Sequence, residues 1–257
     1  MSTNLGAHSP KLDAVRALRT KAGRREQGRY AIEGATLLTE AVAAGRRPES
    51  LYLTERGAAA LPDALRLAYA SRSFVVPDRA MARLSDLETP PGILAVLPLA
   101  EEPCADLLDG APALLLAGIA DPGNAGTLLR SAEIFGVTRA IFTTDGVEAH
   151  NPKVVRATMG ALFRMRVATA TGPAVVSAAG VAGYTVVAAA REGVPLPEFR
   201  FPARTVLAIG NERHGVAAAL ESWDQAVAIP QPGGGESLNA AVAGGIILYA
   251  FSQQISR

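Results

Sequence analysis

The sequence predicts an α/β protein, and three observations support that class. Short apolar segments alternate with helical patterns along most of the 257 residues, as in sheets whose strands are joined by helices. The run 113–117 is apolar at every position, which is typical of a parallel strand covered on both faces. Polar, glycine-rich loops follow several apolar segments, where open α/β sheets place their ligands.

Length and composition indicate a soluble globular protein. The apolar fraction is 49% and the formal net charge is +1, so the whole chain lacks a polyanion-binding charge. Cys104 is the only cysteine and the three histidines are scattered, which excludes an intrachain disulfide and argues against a metal site. Because no signal-peptide pattern or membrane-length apolar run occurs, we expect a cytoplasmic protein that does not contact a membrane.

The first hundred residues predict a small α/β layer. Residues 1–30 hold seven basic and two acidic side chains, the one basic patch that the sequence indicates. Residues 22–29 predict a charged loop, because glycines interrupt them. The predicted helices are 11–21, 35–44, 57–70 and 78–85, and the predicted strands are 29–32, 50–54, 73–76 and 92–97.

A stretch of prolines and acids over 98–112 lacks sustained periodicity and predicts a linker. We therefore place domains at 1–100 and 112–257, joined by a linker at 101–111. The second domain repeats strand and helix units. Its predicted strands are 113–117, 139–143, 184–190, 205–209 and 226–229, and its predicted helices are 125–136, 152–158, 216–222 and 237–254.

The first candidate site follows strand 113–117. A turn at 121–123 leads to Asn124, a good helix N-cap residue, and Arg130 lies six residues further on. The spacing alone favours a capped helix with a solvated arginine. The planar guanidinium of Arg130 could also bind a phosphate.

Two later loops are the other candidates. The loop 210–215 could be an ordinary turn, although its glycines allow close approach to a ligand and Glu212 would be fixed at a strand end. The loop 233–239 carries three glycines but lacks the Lys-Ser/Thr pair of a Walker loop, which argues against a nucleotide-dependent kinase. In it, Ser237 could be an N-cap and Asn239 could lie in the first helical turn.

In order, these loops resemble three motifs of the SpoU (TrmH-type) RNA 2′-O-ribose methyltransferases of the SPOUT superfamily. The motif residues are Asn124 with Arg130, then 210–212, then Ile229-Pro230 leading to 237–239. The resemblance covers the whole chain, because the opening is similar to the substrate-binding domain of many members. It implies a carboxyl-terminal SPOUT domain with a parallel sheet and a deep trefoil knot, an exception to the unthreaded chains of most folds. It also implies a small amino-terminal α/β domain for RNA.

The resemblance further implies S-adenosylmethionine as methyl donor, no metal, and a homodimer whose active site is completed across the interface. The implied cofactor contacts are Gly210, Asn211, Ile229 and Leu238. A ribose 2′-hydroxyl is a poor nucleophile, so the protein must orient it and stabilise the developing oxyanion. By motif, Arg130 would serve that step, Asn124 and Ser237 would position groups, Glu212 would anchor its loop or Arg130, and Asn239 would shape the site.

Arg24, Arg25 and Arg29 are the predicted RNA contacts, since phosphate contacts position RNA without reading sequence. A solvated helix face is the alternative for this basic segment. Similarity to two-domain members favours large-subunit (23S) ribosomal RNA as substrate over transfer RNA. The sequence also leaves open that the enzyme methylates a base, or that the chain is an inactive RNA-binding or ribosome-associated protein.

Overall fold

The computed structural model describes residues 3–6, 9–211, 213–233 and 237–255. They form two compact units, the first from Met1–Leu99 and His150–Phe163 and the second from Ala100–Ala149 and Arg164–Arg257. The predicted split assigned 150–163 to the second domain. This segment groups with the first unit because the His150 ring lies 4.6 Å from the Tyr30 ring and Arg46 Nε donates to the Phe163 carbonyl at 2.9 Å.

The first part of the chain contains five strands and six α-helices within its described residues. In order they are β1 (Thr3–Asn4), α1 (Pro10–Ala17), α2 (Lys21–Gln27), β2 (Arg29–Glu33), α3 (Ala35–Ala43), β3 (Ser50–Leu53), α4 (Glu55–Ala60), α5 (Asp63–Ala68), β4 (Ser73–Val75), α6 (Asp78–Leu84) and β5 (Ile93–Pro98). The sheet order is β1-β4-β3-β5-β2. Strands β1 and β3 lie parallel to β4, whereas β5 is antiparallel to β3 and β2. The predicted small α/β layer is thus confirmed.

Two local predictions in this unit are wrong. The charged segment predicted as a loop is helix α2, because Thr20 Oγ1 accepts from Gly23 N at its start and Gly28 ends it with a φ of 61°. The helix predicted over 57–70 is two helices. It breaks because Pro62 cannot donate a helical hydrogen bond and favours an extended Leu61, whose ψ is 132°.

The rest of the chain continues the order. Its elements are α7 (Cys104–Leu107), β6 (Ala113–Ala117), α8 (Pro122–Ile134), β7 (Arg139–Thr143), α9 (Pro152–Ala157), α10 (Ala161–Arg164), β8 (Arg166–Ala170), α11 (Gly172–Val181), β9 (Thr185–Pro195), β10 (Thr205–Gly210), β11 (Gln225–Ala228) and α12 (Ala240–Ile255). A short 3-10 helix at Val216–Ala218 replaces the helix predicted over 216–222. Elements α7, α10, β8 and α11 were not predicted.

The second unit is built on six parallel strands in the order β11-β9-β10-β6-β7-β8. Strands β6 and β7 have the predicted bounds, and every residue of β6 is buried. The parallel sheet is therefore confirmed, while the trefoil knot stays a prediction. No helix within the described residues is long and apolar enough to cross a membrane.

The predicted linker is held against the second unit by ion pairs. The Arg166 guanidinium binds the carboxylates of Glu102 and Asp109, and Arg139 Nη2 lies 2.9 Å from Asp109 Oδ2. The Tyr184 hydroxyl accepts from Gly110 N at 2.7 Å and donates to a neighbouring carbonyl. The segment is thus ordered, although its sequence lacks periodicity.

Candidate active site

Three loops meet at one edge of the second unit's sheet. They follow β6, β10 and β11, and all six strands are parallel, so the carboxyl ends of these three strands share that edge. Strands β6 and β10 are direct neighbours, while β9 separates β10 from β11. Ligands of open α/β sheets bind at such an edge.

A cavity of about 840 Å³ lies at this edge. Its lining includes all four predicted cofactor contacts, together with Ser237 from the predicted catalytic set. The four are Gly210, Asn211, Ile229 and Leu238. Its volume is within the range of about 300–1,000 Å³ that small-molecule sites occupy.

The glycine at the end of β10 is required by the chain itself. A Cβ at Gly210 would lie 2.2 Å from the carbonyl carbon of Gly215 and 2.2 Å from Val216 N. The loop that follows folds back on the strand, because Gly215 N donates to the Asn211 carbonyl at 2.8 Å. We expected this glycine to permit close approach of a ligand, but what it admits is the returning backbone that forms one wall of the cavity.

A looped-out segment of β9 forms another wall, and sequence reasoning missed it. The pairing of β9 with β11 places Ala188 opposite Ala226 but Val194 opposite Val227, so residues 189–193 leave the ladder. Gly193 allows this, because a Cβ there would lie 2.6 Å from the Ala226 carbonyl oxygen. The cavity lining also includes Arg191 and Arg213, which give it a positive side, together with His214.

Helix α8 carries the first motif, and its predicted cap is corrected. Asp121 is the N-cap, because its Oδ1 accepts from Asn124 N at 2.7 Å, and Asn124 lies in the first turn instead. The hydrophobic face of α8 is buried through Leu128 and Leu129. Arg130 is exposed, and no hydrogen bond or ion pair of its side chain occurs within the described part of the chain.

The third motif contacts the first through a side-chain hydrogen bond. Asn239 Nδ2 donates to Asn124 Oδ1 at 3.0 Å. Asn239 also caps α12, since its Oδ1 accepts from Ala241 N at 2.9 Å. The prediction of Ser237 as the cap is therefore wrong, because the helix begins three residues later.

Helices α8 and α12 pack closely, which brings these motif residues together. A Cβ at Gly244 would lie 2.2 Å from Leu128 Cδ2, so any larger residue there would force the buried Leu128 side chain to move. The structure thus places Asn124, Asn239 and the start of α12 side by side. Glu212, a predicted catalytic residue, lies outside the described residues, as do Gly234, Gly235 and Glu236 of the third loop.

The predicted RNA contacts of the first unit differ in accessibility. Arg24 is only 3% exposed, and its Nη1 donates to the Leu18 carbonyl at 2.7 Å. Arg25 is exposed, and Arg29 is exposed but forms an ion pair with Glu49. The prediction that Arg24 faces RNA is corrected, because helix α2 turns this side chain inward.

No group of three or more His, Cys, Asp or Glu side chains that could hold a metal ion occurs among the described residues. The described side chains at this edge include the Asn124 and Asn239 amides and the exposed arginines Arg130, Arg191 and Arg213.

Comparison with known proteins gives two domain matches. The family model described as the SpoU rRNA Methylase family matches residues 111–249. A second model, the MRM3-like substrate binding domain, matches residues 9–95. Both halves of the chain thus correspond to described domains.

Full-length relatives are similar across both halves. The chain is 29% identical over 245 residues to the 23S rRNA (guanosine(2553)-2′-O)-methyltransferase RlmP of Bacillus subtilis, covering 95% of this chain and 96% of that protein. It is 32% identical over 207 residues to the 23S rRNA (uridine(2479)-2′-O)-methyltransferase of Streptomyces viridochromogenes, covering 75% of this chain and 71% of that protein. The AdoMet-bound rRNA methyltransferase structure from Sinorhizobium meliloti matches with a TM-score of 0.84 and 25% identity, covering 98% of each chain.

Proposed function

Since this chain belongs to the SpoU rRNA methylase family, whose model matches more than half of it, we propose that it methylates RNA at a ribose 2′-hydroxyl with S-adenosylmethionine (AdoMet). One observation carries the proposal. The described residues of all three predicted motifs meet at one sheet edge, where Asn239 bonds Asn124 beside the loop-walled cavity. We assign RNA binding to residues 1–100 and methyl transfer to residues 112–257.

The cavity suits AdoMet in size and in chemistry. Ile209, Ala243 and Ile247 offer apolar surface to an adenine, while the backbone of Gly210 and Ile229 offers hydrogen-bonding groups. Arg191 and Arg213 supply positive charge to a carboxylate or phosphate at the cavity wall. When bound, AdoMet supplies a methyl group activated by its positively charged sulfur.

Arg130 is the proposed catalytic residue. Its guanidinium has no competing partner within the described residues, and it remains charged at any physiological pH. Placed beside the ribose and its neighbouring phosphate, it stabilises negative charge that develops on the 2′-oxygen as the proton leaves. Asn124 and Asn239 hold the start of α8 against the start of α12 and so fix the surface on which the ribose lies.

Replacement of Arg130 tests this assignment. Arg130→Ala is expected to lower the methyl-transfer rate by about 10²–10³-fold, the usual effect of removing one oxyanion-stabilising group. AdoMet affinity by titration calorimetry should not change, because Arg130 does not line the cavity. Arg204→Ala is the matched control, since Arg204 is exposed and immediately precedes β10 at the opposite sheet edge. A native rate in a folded Arg130→Ala protein contradicts the role.

The proposed substrate is large-subunit ribosomal RNA, the substrate class in the names of the two relatives described above. We propose the cytoplasm as the location, because ribosomal RNA is found there. Incubation with labelled AdoMet and separate ribosomal and transfer RNA pools tests the substrate, and nuclease digestion with mass spectrometry separates ribose from base methylation. Label in the transfer RNA pool alone would show that transfer RNA is the substrate. No label in either pool would favour an RNA-binding protein without methyltransferase activity.

We also propose a homodimer formed through α12. Val242, Ile246 and Tyr249 repeat at helical spacing on this helix, and they are 51%, 40% and 55% exposed. The Tyr249 ring contacts Phe135 of the second unit edge-on at 5.8 Å, and the adjacent Ile134 is 64% exposed. A continuous apolar face on two packed helices favours burial against a second copy.

Light scattering after size exclusion tests the dimer. Ile246→Glu is expected to give monomers, because it places a charge within the apolar face of α12. Val181→Glu is the control, since Val181 is 90% exposed on α11 and does not belong to that face. A monomeric wild-type protein, or an unchanged dimer in Ile246→Glu, contradicts the proposed interface.

A further inference from the structure

Gly118, the residue immediately after β6, is held by side chains from two other strand ends. Its N–H donates to Thr143 Oγ1 at 2.7 Å, and its carbonyl accepts from Asn211 Nδ2 at 3.2 Å. Its φ is 66°, and a Cβ would lie 3.3 Å from Asp145 Oδ2, so the position favours glycine. The N–H and the carbonyl of Gly118 are therefore both hydrogen-bonded to side chains and not to a neighbouring strand.

Thr143 replaces the sheet ladder where the ladder stops. The pairing of β6 with β7 ends at Leu116 opposite Phe142, one residue before Thr143. The Thr143 hydroxyl is buried at 1% exposure, and it donates to the Leu116 carbonyl at 3.3 Å while it accepts from Gly118 N. Its hydrogen-bonding capacity is thus directed to the turn that leads into the first motif.

The turn passes directly into the helix that carries Arg130. Ile119 is buried, its carbonyl accepts from Val147 N at 2.8 Å, and Asp121 caps α8 two residues later. Arg130 lies within α8, so the position of this helix sets where its guanidinium can reach. The position of α8 depends in turn on the path through Gly118.

Asn211 connects the same glycine to the cavity. It lines the cavity, and its Oδ1 accepts from Arg213 N at 2.9 Å while its Nδ2 reaches Gly118. The Asn211 side chain therefore connects the loop after β10, which lines the cavity, to the turn that joins β6 to α8. A movement of the loop after β10 would therefore move the Asn211 amide, which is hydrogen-bonded to the Gly118 carbonyl.

We infer that Gly118 is a shared anchor, held by Thr143 and Asn211, which positions α8 and Arg130 relative to the cofactor cavity; the inference rests on the proposed methyl transfer. Thr143 is a positioning residue for the reaction. Asn211 has a second role besides lining the cavity, because its side chain fixes the anchor from the cofactor side.

Thr143→Val tests the anchor, because it keeps the shape of the side chain and removes both hydrogen bonds. We expect faster hydrogen exchange over 118–130, a kcat at least about tenfold lower because a shift of about 1 Å can cost 10²-fold, and an unchanged AdoMet Kd. Thr143→Ser should restore kcat, since it keeps the hydroxyl. Thr169→Val is the matched control, because Thr169 lies on the adjacent strand β8 and its Oγ1 is buried with no hydrogen-bond partner among the described residues.

A Thr143→Val protein with wild-type exchange over 118–130 and wild-type kcat overturns the anchor. If this variant does not fold, Asn211→Asp gives the same test, because the aspartate keeps the acceptor for Arg213 N but cannot donate to Gly118. Unchanged exchange in Asn211→Asp then overturns it. A wild-type protein that methylates no RNA contradicts the proposed function instead, and the exchange measurement still decides whether the anchor exists.

Discussion

The glycine at the end of β10 gives the most direct test of how the cavity is built. Gly210→Ala places a methyl group 2.2 Å from two backbone atoms of Gly215 and Val216, whereas ordinary contacts of a Cβ begin at 3.4 Å. The difference between these distances requires a backbone movement of about 1.2 Å. No flexible side chain can absorb it, because both atoms belong to the main chain.

This movement should affect both stability and binding. Overpacking of this kind costs about 1–3 kcal/mol of unfolding free energy. The displaced loop is a wall of the cavity, so AdoMet affinity should fall about 10- to 100-fold, or roughly 1.4–2.8 kcal/mol. Urea unfolding and titration calorimetry measure the two effects separately.

Gly180→Ala is the matched control. A Cβ at Gly180 meets no atom within 4 Å, and Gly180 lies inside α11 of the same unit. Alanine there should stabilise the protein by about 0.5–1 kcal/mol through helix propensity and leave AdoMet binding unchanged. A Gly210→Ala protein with wild-type AdoMet affinity would refute the reasoning that the returning loop shapes the cofactor site.

Three further predictions concern the ion pairs, the carboxyl-terminal helix and the basic segment. The Arg139 guanidinium lowers the pKa of Asp109 to about 2. The Asp109 carboxylate therefore adds its full contribution to the folding free energy above the ordinary pKa of an aspartate, and this contribution is lost as the pH falls towards 2. Asp109→Asn should therefore cost at most about 1 kcal/mol in urea unfolding at pH 7, and clearly less at pH 2, where Asp109 is about half protonated in the folded protein. Gln254→Ala should cost about 1–2 kcal/mol, because Gln254 bonds Phe201 N and the Phe199 carbonyl, whereas Gln253→Ala should be near neutral. Arg25→Glu should weaken RNA binding and lower its salt dependence in filter binding, whereas Arg24→Glu should lower the melting temperature because it buries a carboxylate.

The parts of the fold that the sequence predicted are those whose signal is local. Strand β6 is apolar and buried at every position, and β7 has a buried apolar centre, as buried parallel strands require. The carboxyl ends of parallel strands share one edge, so polar loops after β6, β10 and β11 had to meet. The motif residues Asn124 and Asn239 are 115 positions apart and still form a hydrogen bond.

The missed elements had capping signals that composition obscured. Helix α2 is charged and contains Gly23, but Thr20 before it and Gly28 after it are ordinary start and stop residues of a helix. Helix α11 is rich in alanine and glycine, so its periodicity is weak. Thr171 with Pro173 in the first turn nevertheless marked its start, because the threonine hydroxyl accepts from Ala174 N.

The cavity itself could not be predicted, because it depends on register between strands rather than on any single segment. The looped-out residues 189–193 exist because β9 pairs with β11 on both sides of them. Gly193 is a local sequence signal of this arrangement, since a side chain there would clash with the Ala226 carbonyl. Pairing partners are far apart along the chain, and the sequence of one strand does not determine which residues of another strand will lie opposite it.

The hydrogen bonds of Thr143 could not be predicted for the same reason. In sequence it is an ordinary threonine at the end of a strand, and its hydroxyl bonds Gly118 because the pairing of β7 with β6 stops one residue earlier. Chemistry at this site is therefore local in residue type but non-local in position, and substitutions that change register or turns should impair methyl transfer as strongly as substitutions of the motif residues.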